Sequence, residues 1–66
     1  NTKLQVARRA SGKTQRQVAE ECGISTTIYQ SYEYNTRTPS VRTAIRIATA
    51  LNSTVEALFS GEKKGE

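Results

Sequence analysis

No histidine and no aspartate occur among these 66 residues, and there is one cysteine. Without histidine the chain lacks the side chain that most often moves protons near neutral pH. Its glutamates form no pair poised for acid–base work, and no glycine-rich phosphate cradle follows a strand pattern. Catalysis, a metal and a bound cofactor are not expected. One cysteine cannot close a disulfide within the chain, and Cys22 lies on an apolar helical stripe, where it reads as a small buried hydrophobe. No apolar run approaches the roughly 20 residues of a membrane span, and nothing resembles a secretion signal. A reduced, cytoplasmic setting is the expectation. Methionine is absent even at the start, which leaves open that the sequence is a piece of a longer regulator. Sixty-six residues give room for one domain with a modest core.

What the chain does have is positive charge, unevenly placed. The formal charge is +4 and the isoelectric point about 9.7. Residues 1–54 hold eight Lys/Arg against three Glu, a local +5, and residues 55–66 hold two Lys against three Glu, a local −1. A basic surface alone is commonplace. Here the excess coincides with a pair of short helical patterns, as binding to a polyanion requires. A basic amphipathic membrane binder is not supported, because the cations share no face opposite a large apolar side.

The helical periodicity predicts an all-α chain of five helices, with no strand pattern and no repeat. Thr2 with Gln5 reads as a capping box opening a first helix that runs to about Ser11, with Leu4 and Ala7 inward, Arg8 beside them and Gly12 ending it. Thr14 with Gln17 is a second box; Val18, Ala19 and Cys22 form one stripe, and Gly23 supplies the left-handed stop. Ser25 caps a third helix whose inward side is Tyr29 and Tyr32. At 100° per residue, Thr26, Thr27, Gln30, Ser31 and Tyr34 then point outward. Asn35 suits a left-handed turn, and Ser40 after Pro39 caps a fourth helix with Val41, Ala44, Ile45, Ile47, Ala48 and Leu51 as its apolar set. Thr54 caps a short last helix that closes the core with Val55, Leu58 and Phe59. The domain is placed at residues 1–60, with 61–66 a polar tail or the start of a linker.

Thr14-Gln15, Val18-Ala19, Gly23-Ile24-Ser25, Tyr29, Tyr32-Glu33, Pro39-Ser40, Ile47-Ala48-x-x-Leu51 and Val55-x-x-Leu58-Phe59 occur in that order. Together they resemble the helix-turn-helix domains of the lambda-repressor and Cro type, the xenobiotic-response-element-like family, over nearly the whole chain. The resemblance implies a compact five-helix lambda-repressor-like DNA-binding domain with its helix-turn-helix at the second and third helices. It also implies a structural ion pair between Arg8 and Glu33 that fixes the recognition helix against the scaffold.

In such domains phosphates supply most affinity and base edges supply sequence choice. The resemblance places one phosphate over the start of the second helix, at the backbone N–H groups and Gln15, with Lys13 and Arg16 flanking it. Tyr34, Asn35, Arg37 and Arg42 hold the backbone on the other side of the groove. Base reading falls to Thr26, Thr27 and Ser31 by matching position, and to Gln30 by its place on the helical wheel. Ile28 lies at the margin between core and groove. No arginine or lysine lies between Ser25 and Tyr32, so an A·T-leaning half-site is expected.

The expected function is a sequence-specific double-stranded DNA-binding transcriptional regulator that reads the major groove with residues 25–34. Repression is the commoner outcome in the family it resembles. One module makes few contacts, so a homodimer on an inverted-repeat operator is expected, with apolar surface around Phe59 as a candidate contact. The alternative is an antitoxin-like or anti-regulator module whose main partner is a protein, a reading the uncharged recognition helix keeps open.

Overall fold

The computed structural model describes residues 1–60. Five helices follow one another: α1 (Thr2–Ala10), α2 (Gln15–Cys22), α3 (Thr26–Glu33), α4 (Val41–Ala50) and α5 (Val55–Phe59), and no strand occurs among the described residues. The all-α, five-helix expectation is met. The expected tail or linker at 61–66 lies outside the described residues.

Each helix starts on a side chain that takes up an orphan backbone N–H. Thr14, Ser25, Ser40 and Thr54 cap α2 to α5, and the Thr14–Gln17 box is reciprocal. The first helix departs from expectation. Asn1, not Thr2, is its cap: Asn1 Oδ1 accepts from the Leu4 N–H at 3.2 Å, and Thr2 is already helical. Asparagine outranks threonine as a cap, and it does more here, because Asn1 Nδ2 donates to the Leu58 carbonyl at 2.7 Å and so ties α1 to α5.

Four helix ends share one solution. Gly12, Gly23, Asn35 and Asn52 all have positive φ, and each is followed by a residue whose N–H reaches back five positions. At Gly23 (φ 72°), the Gly23 N–H donates to Glu20 O at 3.2 Å and the Ile24 N–H to Ala19 O at 3.0 Å. This double bond pattern satisfies orphan carbonyls and turns the chain within two residues. Only a residue tolerant of the left-handed region can sit there, and glycine does so at no steric cost.

The core is built from Leu4, Val18, Ala19, Cys22, Tyr29, Tyr32, Ile47, Ala48, Leu51 and Leu58. Helix α2 packs on α3 and α4, and α1 packs on α5 and α3, so α3 is held from two sides. Two residues of the apolar set of α4 lie outside the core. Val41 is 76% exposed and Ile45 51% exposed, while Ala44, Ile47 and Ala48 are buried. The apolar arc of α4 is wider than its neighbours cover. Burial pushes the Cys22 thiol up from its ordinary pKa, so it stays protonated, in keeping with a packing role.

Candidate nucleic-acid interface

Helix α3 is anchored by its buried side. Tyr29 and Tyr32 enter the core, and the Glu33 side chain is fully buried. The Arg8 Nε donates to Glu33 Oε2 at 2.6 Å, and Arg8 Nη1 donates to the Lys13 carbonyl at 3.1 Å. One guanidinium thereby joins α1, the α1–α2 loop and the end of α3. Burial alone would raise the Glu33 pKa; the hydrogen bond from Arg8 leads the groups that outweigh it and hold the carboxylate below its usual range. Gln15 adds a hydrogen bond to the same carboxylate, and the nearby Tyr29 phenol acts in the same direction. The Tyr29 hydroxyl lies outside hydrogen-bonding geometry to any atom, and it is the one buried side-chain polar atom without a partner among the described residues. Its own pKa is pushed up, by burial first and then by Glu33.

The polar chain does not stop at Glu33. Gln15 Nε2 donates to Glu33 Oε1 at 2.9 Å, and Gln30 Nε2 donates to Gln15 Oε1 at 3.0 Å. Arg8, Glu33, Gln15 and Gln30 thus form one series running from α1, through the buried carboxylate and the start of α2, to the middle of α3. Sequence reasoning paired Arg8 with Glu33 but missed the extension. The available signal was the three-residue spacing of Gln30 and Glu33, which puts both on one side of α3.

On the accessible side of α3, Thr27 is exposed and Thr26, Gln30 and Ser31 are half-buried. The Ser31 hydroxyl donates to the Ile28 carbonyl at 2.5 Å, so its oxygen remains free to accept. Ile28 is half-buried against the core. Tyr34 caps the end of α3 with 59% of its surface exposed; Asn35 takes φ 61°, and Arg37 is exposed in the loop that follows. Arg42 is exposed on the first turn of α4.

At the start of α2, the capping box occupies the N–H groups of Thr14 and Gln17. The backbone N–H groups of Gln15 and Arg16 have no hydrogen-bond partner among the described residues, and they sit at the positive helix end. Arg16 makes only an exposed pair with Glu20 at 3.2 Å, which contributes little and opens readily. Lys13 is placed differently. Its ammonium donates to Glu21 at 2.8 Å and to the Ala50 carbonyl at 2.7 Å, bracing α2 against the end of α4.

The ion pairs explain where the basic character resides. All three glutamates of residues 1–54 are paired, with Arg8, Lys13 and Arg16. Within residues 1–54 the cations outside those pairs are Lys3, Arg9, Arg37, Arg42 and Arg46, five in number, which matches the local excess. Two of the five, Arg37 in the loop after α3 and Arg42 on the first turn of α4, are the next cations along the chain after α3.

Two capped helices, a left-handed glycine between them and a second helix locked by a buried ion pair define the arrangement. A helix-turn-helix family profile matches residues 4–58. The chain belongs to the helix-turn-helix family. This agrees with the resemblance carried by the motif spacing. The helix-turn-helix domain is similar to the cryptic phage CTXphi transcriptional repressor RstR of Vibrio cholerae serotype O1, with 41% identity over 51 residues. That alignment takes in 77% of this chain and 46% of the relative, so the chain spans about half the length of the curated relative it matches. No solved structure matches the domain significantly.

Proposed function

We propose that this helix-turn-helix domain is the sequence-specific, double-stranded DNA-binding part of a transcriptional repressor, non-enzymatic and cytoplasmic, that acts as a homodimer on an inverted-repeat operator. The observation that carries the reading is the state of α3: buried and ion-paired on one side, uncharged and hydrogen-bonding on the other. A helix fixed in this way can probe base edges without ordering itself first. Thr26, Thr27, Gln30 and Ser31 are the base readers in this proposal. Gln15, Arg16 and the free N–H groups at the start of α2 take phosphate on one side of the groove; Tyr34, Asn35, Arg37 and Arg42 take it on the other.

Lys13 has a smaller role than its charge suggests. It would have to leave both Glu21 and the Ala50 carbonyl to reach a phosphate. The similarity to a phage transcriptional repressor supports repression over activation. One module offers few base contacts, and two recognition helices about 34 Å apart read successive turns of one duplex face.

The test is a salt titration of affinity for a duplex selected from a random library, against an unselected duplex. Log affinity should fall linearly with log salt, and the selected duplex should contain an inverted repeat and bind on the order of 10³-fold more tightly than random sequence. No enrichment and no gap between the duplexes would instead favour the protein-interaction alternative. The exposed Val41 and Ile45 give that alternative an apolar strip on which to act.

A further inference from the structure

We propose that Gln15 is a positioning residue that fixes which way round the Gln30 amide stands, so that Gln30 selects adenine over guanine at one base pair of each half-site. This rests on the DNA-reading role above and adds to it the identity of one base and the side chain that sets it.

The ionised Glu33 side chain can accept hydrogen bonds but not donate them. Its carboxylate is fully buried, with one oxygen taken by Arg8 Nε at 2.6 Å. The other oxygen faces Gln15 at 2.9 Å. A carboxylate can only accept, so Gln15 must turn its nitrogen toward it; the carbonyl in that place would set two lone pairs against each other. With the nitrogen directed inward, Gln15 Oε1 faces Gln30, where it accepts from Gln30 Nε2 at 3.0 Å. The same constraint then applies a second time. Gln30 must offer nitrogen to Gln15, which leaves its Oε1 and its second N–H unpartnered among the described residues. Polarity set by a buried carboxylate is passed through two amides to the accessible edge of α3.

An acceptor beside a donor is the complement of the adenine major-groove edge, with its N6–H₂ donor and N7 acceptor. Guanine presents O6 and N7, both acceptors, so the Gln30 oxygen would meet O6 without a proton between them. A phosphate, also acceptor-only, suits the outward end of Gln30 equally poorly. It suits Gln15 better, because the carbonyl of Gln15 is occupied and one N–H remains.

Selection of duplexes from a random library by the wild-type chain, Gln30→Ala, Gln15→Met and Gln15→Arg tests this. Gln30→Ala identifies the base pair that Gln30 reads. At that pair the wild-type chain should prefer adenine over guanine by about tenfold or more. Gln15→Met, which has similar length and no hydrogen bonds, also loses a phosphate contact and lowers overall affinity. The readout is therefore the preference at that one pair relative to the other pairs of the site, which should fall to about threefold or less as the Gln30 amide becomes free to rotate. Gln15→Arg offers only donors. It keeps the contact with Glu33 and draws the Gln30 carbonyl inward, so the outward amide becomes a donor and the preference should move toward guanine. This variant strengthens the buried contact, so it keeps the test decisive even if Gln15→Met folds poorly. An enriched site whose Gln30-dependent position is not adenine, or is still adenine with undiminished preference in Gln15→Arg, overturns the proposal while leaving DNA recognition standing. Absence of any enriched site with the wild-type chain overturns both.

Discussion

Replacing Arg8 with alanine removes the charge partner of a carboxylate that has no contact with solvent. The Glu33 side chain is 0% exposed and lies 2.6 Å from the guanidinium. Breaking a buried pair from one side costs about 3–5 kcal/mol, because the remaining charge is left desolvated and uncompensated. Two features place this case near the lower end. Gln15 still donates to Glu33, and the Arg8 side chain is 13% exposed, so water can enter the space it vacates. A chain of this size has a total stability of roughly 3–10 kcal/mol, so a loss of about 3 kcal/mol is a large share of it. At about 4–8 °C per kcal/mol for so small a domain, the melting midpoint should fall by roughly 12–24 °C. Arg9 is the control: it is exposed, on the same helix, in no ion pair among the described residues, and its loss changes the net charge equally. Arg9→Ala should stay within about 0.5 kcal/mol of the parent. Thermal melts followed by far-UV circular dichroism, at one pH and salt, compare the two. Equal midpoints would refute the view that Arg8–Glu33 anchors α3. The double variant Arg8→Met, Glu33→Leu should recover much of the loss, since an unpaired buried charge is what destabilises.

Three further expectations follow from named contacts. The folded-state pKa of Glu33 lies below its unfolded value, so its contribution is complete above about pH 4.3 and is lost as pH falls through the folded pKa; Glu33→Gln should flatten the dependence of melting temperature on pH in that acid window, and an unchanged slope would count against the assignment. Arg37→Ala and Arg42→Ala should each lower the slope of log affinity against log salt by about one, whereas Lys13→Ala, which loses contacts to Glu21 and Ala50, should lower stability and leave that slope nearly unaltered; equal slope changes for all three would show that Lys13 reaches phosphate after all. Asn35 sits at φ 61°, so Asn35→Ala should destabilise by about 1 kcal/mol and Asn35→Gly should not; denaturant midpoints distinguish them, and matching losses would mean the Asn35 side chain, not its backbone, is what counts.

Much of this architecture was legible because its punctuation is local. Thr14 and Gln17 close their box within one turn, and Gly23 ends α2 through its own backbone, so neither depends on distant residues. The same holds for Ser25, Ser40 and Thr54. The misplacements arose where tertiary context decides. Asn1 displaced Thr2 as a cap partly because it also reaches the Leu58 carbonyl, a contact 57 residues away that no local pattern contains. Val41 and Ile45 satisfy the helical period of an inner face, yet periodicity gives the direction of an apolar arc and not how much of it the neighbours cover. At the interface, the ion pair was legible through family spacing. The diversion of Lys13 to Glu21 and Ala50 was not, since a charge on a loop gives no hint of which way its long side chain turns. Phe59 is half-buried against the core, in line with its expected part in closing it.

A buried ion pair is weak evidence for stability, because well-packed apolar side chains often do as well or better in the same volume. Tyr29, Tyr32 and the caps of α3 share with the ion pair in fixing the place of that helix. What an apolar pair could not provide is direction. Leucine at position 33 would leave the Gln15 amide with no reason to prefer one orientation, and Gln30 beyond it equally undetermined. Glu33 is an acceptor that cannot become a donor while Arg8 holds it ionised, and each amide in turn inherits that constraint. If Gln30 reads a base as proposed, stability and base choice are separable in this domain. Arg8→Met, Glu33→Leu should be folded, yet less discriminating at the base pair proposed for Gln30. Unaltered discrimination in that stable variant would mean that the amides orient themselves on the DNA, and that the carboxylate serves the scaffold alone.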